Sequence, residues 1–447
     1  MLTQSLPFDA ATPEAALRLL PSHRSAIFAL YGADESAEPY IGVTPDLRRR
    51  LERLLRPAVG QTKRLQLVSR VRRIAWQFTG SEFESLLVQF RLLEESYGAK
   101  ALERMKLRDP SFVRFHGGNP YPRITITNRP SQKEAHWAFG PFPSRTAAER
   151  YSEELLKLFL LRRCEERLDP HPSHPGCVYS EMKMCLAPCY QGCTNERYAA
   201  EAEAVRSFLA TRGESKLVSI RKERDHASEE LEFETAAALH TQYQRVENIR
   251  ALAPELVRPL SELSVCFLQA SANPEEVSVF LYQDGEIRGP APFSTLGMRI
   301  QNEQSGSSSL FAQPIALQPV PETDSSGGGP TSAKATRDIL ESRMEAALAI
   351  LTATRPRPGT TVRQGHLALV TRWYYRPQHR RVGEVFFPEG IAASVPHWPL
   401  KALLRGIGRV VAAGLRVTAP TAKTPEIPIS AADTLDVSTG DNRNAHG

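Results

Sequence analysis

The chain of 447 residues contains no run of about 18 apolar residues, which excludes a membrane-spanning helix. Its opening, MLTQSLPFDAATPEAALRLL, lacks a basic segment followed by an apolar core. A secretory signal is therefore not expected, and the chain reads as cytoplasmic. Cysteine is scarce: six residues, five of them between 164 and 193. In a reducing compartment such a cluster speaks against a disulfide framework and for a metal site. A strong excess of one charge is also lacking. Lys+Arg is 56 against Asp+Glu 50, a net charge of +6 that permits a nucleic-acid partner without requiring one. Glycine (27) is outnumbered by proline (34), which points to proline-rich linkers or tails. The 41% hydrophobic content is that of an ordinary globular protein, and the length suits about three domains.

Residues 1–15 are polar and expected to fray. The run AIFALY after Ser25 and the segment PYIGV, separated by a polar turn, predict a strand hairpin. Leu47, Leu51, Leu54 and Leu55 have helical spacing behind Pro45-Asp46. A strand over 68–78 and a helix from Ser81 complete a β-β-α-β-α unit. Turn-rich segments, PYPRITITN and WAFGPFPS, and a helix over 144–161 precede the cysteines. Residues 194–255 are helical with a break near Gly213, and their later part predicts an antiparallel hairpin turning at LEFE. Strands follow at LSVCFLQA and EVSVFLYQDGEIRG, the second with an Asp-Gly turn. A helix near 337–353, strands at HLALVTRWYYR and GEVFF, and a helix over 399–415 close the ordered part. Gly406-Ile407-Gly408 reads as a helix break.

The order of these pieces resembles the bacterial UvrC family, a nuclease subunit of nucleotide excision repair. The resemblance rests on Tyr40-Ile41-Gly42 with a basic helix after it, FGPFPS (Phe139 to Ser144), the cysteines with CLAPC (Cys185 to Cys189), and LEFETAAAL (Leu231 to Leu239). It covers roughly residues 16–300 and, more weakly, 365–415. It implies an α+β multidomain chain. Residues 16–100 would be a small GIY-YIG-like α/β sandwich, and 101–195 a linker with the four-cysteine segment. Residues 196–256 would be helical, with a UVR hairpin at about 215–252. Residues 257–417 would be a shortened RNase H-like region with a disordered stretch at 302–335, and 418–447 a disordered tail.

In GIY-YIG nucleases two tyrosines, an arginine and a glutamate holding one divalent metal perform the cut. Here Phe28 stands at the first tyrosine position and lacks the hydroxyl. Tyr40 and Gly42 are present, Val43 replaces the usual lysine, and Arg50 matches the catalytic arginine. Gln89 occupies the glutamate position, and a neutral amide is a poor ligand for Mg²⁺ or Mn²⁺. Ser85, Leu86, Leu92 and Leu93, three and four residues away, offer no carboxylate, and Glu82 lies a further turn away. An active nuclease and a retained fold that binds DNA without cutting are both compatible with this pattern. Arg48, Arg49, Arg53, Lys63 and Arg64, with Arg56, Arg70, Arg72 and Arg73 nearby, suggest a phosphate-binding surface carrying no sequence preference.

Cys164, Cys177, Cys185 and Cys189 are spaced C-x12-C-x7-C-x3-C. Four thiolates suit Zn²⁺ or a [4Fe–4S] cluster, and the resemblance favours the cluster. His171 and His174 read as loop histidines, Cys193 as a spare thiol, and Cys266 as core. The family hairpin docks on UvrB, with Leu231 and Phe233 at its tip as candidate anchors. The family's C-terminal nuclease needs convergent carboxylates, and residues 300–417 carry few inside apolar segments.

Overall fold

The apolar run from Ala26 becomes an interior strand of the first sheet. The computed structural model describes residues 2–34, 37–55, 67–296, 298, 331–389 and 396–418, with backbone only for 331–336 and 415–418. The first unit comprises β1 (Gln4–Pro7), α1 (Pro13–Arg18), β2 (Ala26–Tyr31), β3 (Tyr40–Thr44), α2 (Leu47–Leu55), α3 (Leu67–Arg70), β4 (Arg73–Phe78), α4 (Glu82–Tyr97) and α5 (Lys100–Arg104). Its sheet is antiparallel in the order β1-β4-β2-β3. Alternation along β2 feeds both faces. Phe28 and Leu30 pack on Leu47, Leu51 and Leu55 of α2, while Ile27 meets Val88 and Leu92 of α4.

The second unit contains β5 (Ser111–Phe115), β6 (Ile124–Thr127), β7 (Ala138–Phe142), α6 (Arg145–Leu155), α7 (Val178–Glu181), α8 (Asn195–Ala210), α9 (Glu214–Glu229), α10 (Phe233–Ala251) and the short β8 (Arg258–Pro259). The sheet runs β6-β5-β7-β8. One core joins Val113, Phe142 and Tyr151 to Tyr198, Phe208, Leu217 and Val246 of the helices.

The third unit contains β9 (Val265–Ala270), β10 (Glu276–Gln283), β11 (Glu286–Ser294), α11 (Thr331–Thr352), α12 (Thr360–Tyr374), β12 (Glu384–Phe386) and α13 (Leu400–Thr418). Its sheet, β11-β10-β9-β12, is covered on both faces. Cys266, Leu268, Val279 and Leu281 face α11 and α13. Phe267, Phe280 and Tyr282 face α12 and, from the first unit, α4. The Asp-Gly turn joins β10 to β11 with positive φ at both residues, 55° and 84°, as a two-residue hairpin requires.

Helix α4 therefore carries two apolar stripes. Phe83, Leu87, Phe90 and Leu93 lie on the stripe that enters the C-terminal core. Phe90 presses on Gly365, where a Cβ would stand 2.0 Å from the ring, so only glycine admits this approach. Arg91 donates to the carbonyls of Ile287 (2.7 Å) and Gly289 (3.0 Å).

Several expectations need correction. HLALVTRWYYR is helix α12 rather than a strand; Gly365 through Thr371 are all buried, so no polar face betrays the helical period. The N-terminus is folded: β1 pairs with β4, and Phe8 is buried. The 68–78 segment splits into α3 and β4, and α6 stops at Leu155. The turn-rich stretches before the cysteines hold strands β6 and β7. Helix α13 runs unbroken through Gly406, which exists for contact: a Cβ there would meet the Phe386 ring at 2.5 Å. Helix α11 begins at Thr331, inside the stretch expected to be disordered, and α13 runs to Thr418. The remaining residues of the two disordered expectations, 302–330 and 419–447, lie outside the described residues.

Candidate functional site

The residues expected to form the nuclease centre lie on β2, β3, α2 and α4. Phe28 is fully buried opposite Gly42, whose missing side chain leaves room for the ring: a Cβ would be 2.7 Å from it. The ring sits 6.2 Å from that of Tyr40, which is 36% exposed. Phe28 thus serves as packing beneath Tyr40, with no proton to give or take. The exposed Val43 follows on β3.

Asp46 opens α2, its carboxylate accepting the Arg49 N–H at 3.0 Å. Arg50 is half-buried, while Arg49 and Arg53 are exposed. Arg48 is engaged by Glu52 at 3.1 Å. Arg72 bends back to the carbonyls of Ser69 and Val71, and Arg73 lies over the Tyr31 ring. Arg56, Lys63 and Arg64 lie outside the described residues. The exposed basic face is therefore carried by Arg49, Arg53 and Arg70.

Gln89 is half-buried on α4. The two carboxylates that precede it on α4 are committed elsewhere. Glu82 receives both guanidinium nitrogens of Arg376, at 2.7 and 2.8 Å, which hold its carboxyl below the usual range. Glu84 is buried and accepts the Gly80 N–H at 2.9 Å; burial pushes its pKa up. Among the described residues, no three His, Cys, Asp or Glu side chains gather closely enough to hold a metal ion.

That statement covers the cysteines as well. Cys185 and Cys189 are buried, Cys164 and Cys177 half-buried, and all are free thiols. They are near neighbours: burial raises the Cys185 pKa, and the charges of Cys177, Cys189 and Cys164 push it further in the same direction. Two sulfurs already receive N–H donors. Ala187, in the left-handed region at φ 54°, donates to Cys185 at 3.4 Å, and the buried Arg162 donates to Cys164 at 3.7 Å. Arg162 also holds the carbonyls of Tyr121 and Glu166. This donor set suits a soft metal centre, although the thiols as placed are neighbours rather than a ligand sphere. His171 and His174 make local loop bonds, to Ser173 and from the Gly176 N–H. Cys193 is half-buried near Cys189, and burial pushes the Cys266 thiol in β9 up to about 12.

The α9–α10 hairpin buries Ala227, Val246 and Ile249 and leaves its tip bare. Leu231 is 70% exposed at φ 59°, and Phe233 is 68% exposed.

One feature escaped sequence reasoning. A cavity of about 430 Å³ opens beside the β5–β6 turn, bordered by His116, Gly117, Gly118, Glu134, Trp137 and Arg167 among others. The turn signal His-Gly-Gly-Asn-Pro was visible, but nothing local announced that Trp137 and Arg167 would converge on it.

No described helix is long and apolar enough to cross a membrane. A family profile described as UvrC/Cho excinuclease, middle domain, matches residues 112–208, which hold the second sheet, the cysteines and α8. UvrABC system protein C of Shigella boydii is 30% identical over 291 residues, 63% of this chain and 45% of that protein. The proteins of that name from Aliivibrio salmonicida and Haemophilus ducreyi are 29% and 27% identical, over 55% and 60% of this chain and 39% and 43% of theirs. The chain thus spans less than half the length of these relatives. No solved structure matches. The mixed α and β units thus include a match to the UvrC/Cho middle domain that takes in all four clustered cysteines, and the chain is similar to UvrABC system protein C across about half its length.

Proposed function

We propose that this chain acts in nucleotide excision repair as a UvrC-type component that binds damaged DNA together with UvrB. In this reading its N-terminal GIY-YIG-like unit supports incision without supplying the metal site itself. The observation that carries this is α4. The metal position holds Gln89, Glu82 is bound by Arg376, and Glu84 is buried beneath Gly80. A divalent ion there would lack the carboxylate that hard-cation binding calls for. In the third unit Glu384 is likewise held by Arg409, and Asp284 by Arg288. The exposed Arg49 and Arg53 suit phosphates, and the bare Phe233 and Leu231 suit a hydrophobic anchor on UvrB, in the manner of a UVR hairpin. The second reading, an active single-metal nuclease, is favoured by Tyr40 beside Gly42 and by Arg50 on α2.

One experiment separates the two. Incision of a lesion-bearing duplex is measured with UvrA, UvrB, ATP and Mg²⁺ or Mn²⁺, for the parent, Arg50→Ala, Gln89→Glu and Phe233→Ala. The binding reading expects no cutting at the N-terminal centre by the parent, a gain with Gln89→Glu, and weaker UvrB association with Phe233→Ala. Cutting by the parent that Arg50→Ala abolishes would establish the nuclease reading instead. A Phe233→Ala chain that holds UvrB as the parent does would remove the hairpin from the interface.

The four clustered thiols would hold a [4Fe–4S] cluster or, as the alternative, Zn²⁺, either of which would supply a structural cross-link to a loop with little core of its own. Iron, sulfide and zinc content of an anaerobic preparation distinguishes the two. A folded preparation with none of them would dismiss both.

A further inference from the structure

We propose that the cavity beside the β5–β6 turn receives one unpaired nucleotide of a DNA strand, its base against Trp137 and its phosphate on Arg167. This rests on the DNA-binding reading above and adds a site to it. The cavity, about 430 Å³, falls within the range of small-ligand pockets. One wall is the half-exposed indole of Trp137, backed by Phe115 at 5.4 Å between ring centres. The glycines of the turn seat the indole and leave space beside it. Gly117 lies against the indole, where a Cβ would come within 2.4 Å, and Gly118 has open space where a side chain would stand.

The local charge favours an anion. Arg114, Arg123 and Arg162 act on His116 at the rim, and Arg167 stands exposed at the mouth. The nearby acid, Glu134, is bonded by Arg114 and by Ser131 at 2.7 Å. Burial and these arginines hold the His116 pKa below its ordinary value, so its ring stays neutral and adds no charge at neutral pH. A flat aromatic wall within a cationic rim is how sequence-tolerant proteins hold single strands: the ring stacks on any base, and arginine takes the phosphate. A paired base cannot use such a recess, because it must leave the duplex stack to enter. The recess therefore selects unpaired over paired DNA.

The test uses the full chain and fluorescein-labelled duplexes, with or without a short central unpaired loop. Binding is followed by anisotropy across a salt series and, unlabelled, by tryptophan emission. The other three tryptophans are buried, so quenching reports chiefly on Trp137. The expected result is tighter binding of the looped duplex, with tryptophan quenching. Trp137→Ala should weaken looped-duplex binding about tenfold and leave the paired duplex unchanged, while Trp137→Phe keeps most of the affinity. Arg167→Gln, at an exposed position where folding is not at stake, should lower the log–log salt slope for looped DNA by about 1. Looped-duplex affinities of Trp137→Ala and Arg167→Gln equal to the parent's would overturn the proposal. So would equal weakening on both duplexes, which would make the site a general phosphate contact. A parent that binds neither duplex refutes the DNA-binding reading itself, and this one with it.

Discussion

Replacing Phe83 with alanine is expected to cost about 3–5 kcal/mol of stability, the upper range for a single core truncation. The ring is 3% exposed and sits among Phe267, Phe280 and Trp373, with ring centres at 4.9, 5.3 and 5.9 Å. Two of these contacts are edge-on, an arrangement worth about 0.5–1.5 kcal/mol beyond area burial. The neighbours belong to β9, β10 and α12, held in place by their own sheet and helix, so collapse into the void is limited. Urea unfolding followed by circular dichroism measures the loss, with the partly buried Leu86→Ala as a milder comparison. A loss under about 1 kcal/mol would mean that α4 is not seated on the C-terminal sheet in solution.

Acidification should destabilise the protein through His366. The imidazole is buried, its Nδ1 accepting the Ile287 N–H at 3.1 Å, and Nε2 has no partner among the described residues. Burial first, and then Arg91, lower its pKa from 6.5 to about 3. The folded state therefore refuses a proton that the unfolded state accepts below about pH 6.5. This contribution is fully present above that pH and is lost as the pH falls toward 3, at about 1.4 kcal/mol per unit and about 5 kcal/mol in all. Glu84 and Glu262, whose pKa values burial raises, act in the opposite sense, so the parent alone cannot isolate the effect. His366→Asn keeps an acceptor for Ile287 and does not titrate. Melting temperatures of the two chains should run parallel above pH 7 and diverge between pH 6.5 and 4, the parent falling faster. Parallel curves throughout that window would show that His366 is not buried as described.

Much of the architecture was legible where one face is wet. The leucines of α2 and the Ser81 cap of α4 follow ordinary periodicity and capping, and the Asp-Gly turn marks its own hairpin. Legibility failed where an element is enclosed. Helix α12 is buried from Gly365 to Thr371, and its His-Leu-Ala-Leu-Val run reads as a strand because that stretch carries no alternation of polar and apolar faces to mark the period. Gly406 reads as a break, although the Phe386 ring dictates it, as the Phe90 ring dictates Gly365. At the candidate site the residue types were readable: Phe28, Tyr40, Arg50, Gln89 and the cysteines. Their commitments were not. Nothing in the local sequence says that Glu82 belongs to Arg376, 294 positions away, or that Trp137 and Arg167 line one recess. Such facts arise only from long-range packing.

The two-sided burial of α4 bears on how this chain can be divided. Its first hundred residues are not a detachable cassette. A gene cut after that point would leave Phe83, Leu87 and Phe90 bare on one product, and Phe267, Phe280 and Trp373 bare on the other. Recombination could exchange the front of the chain only for one bearing the same aromatic stripe. That shared core makes the two ends one structural piece.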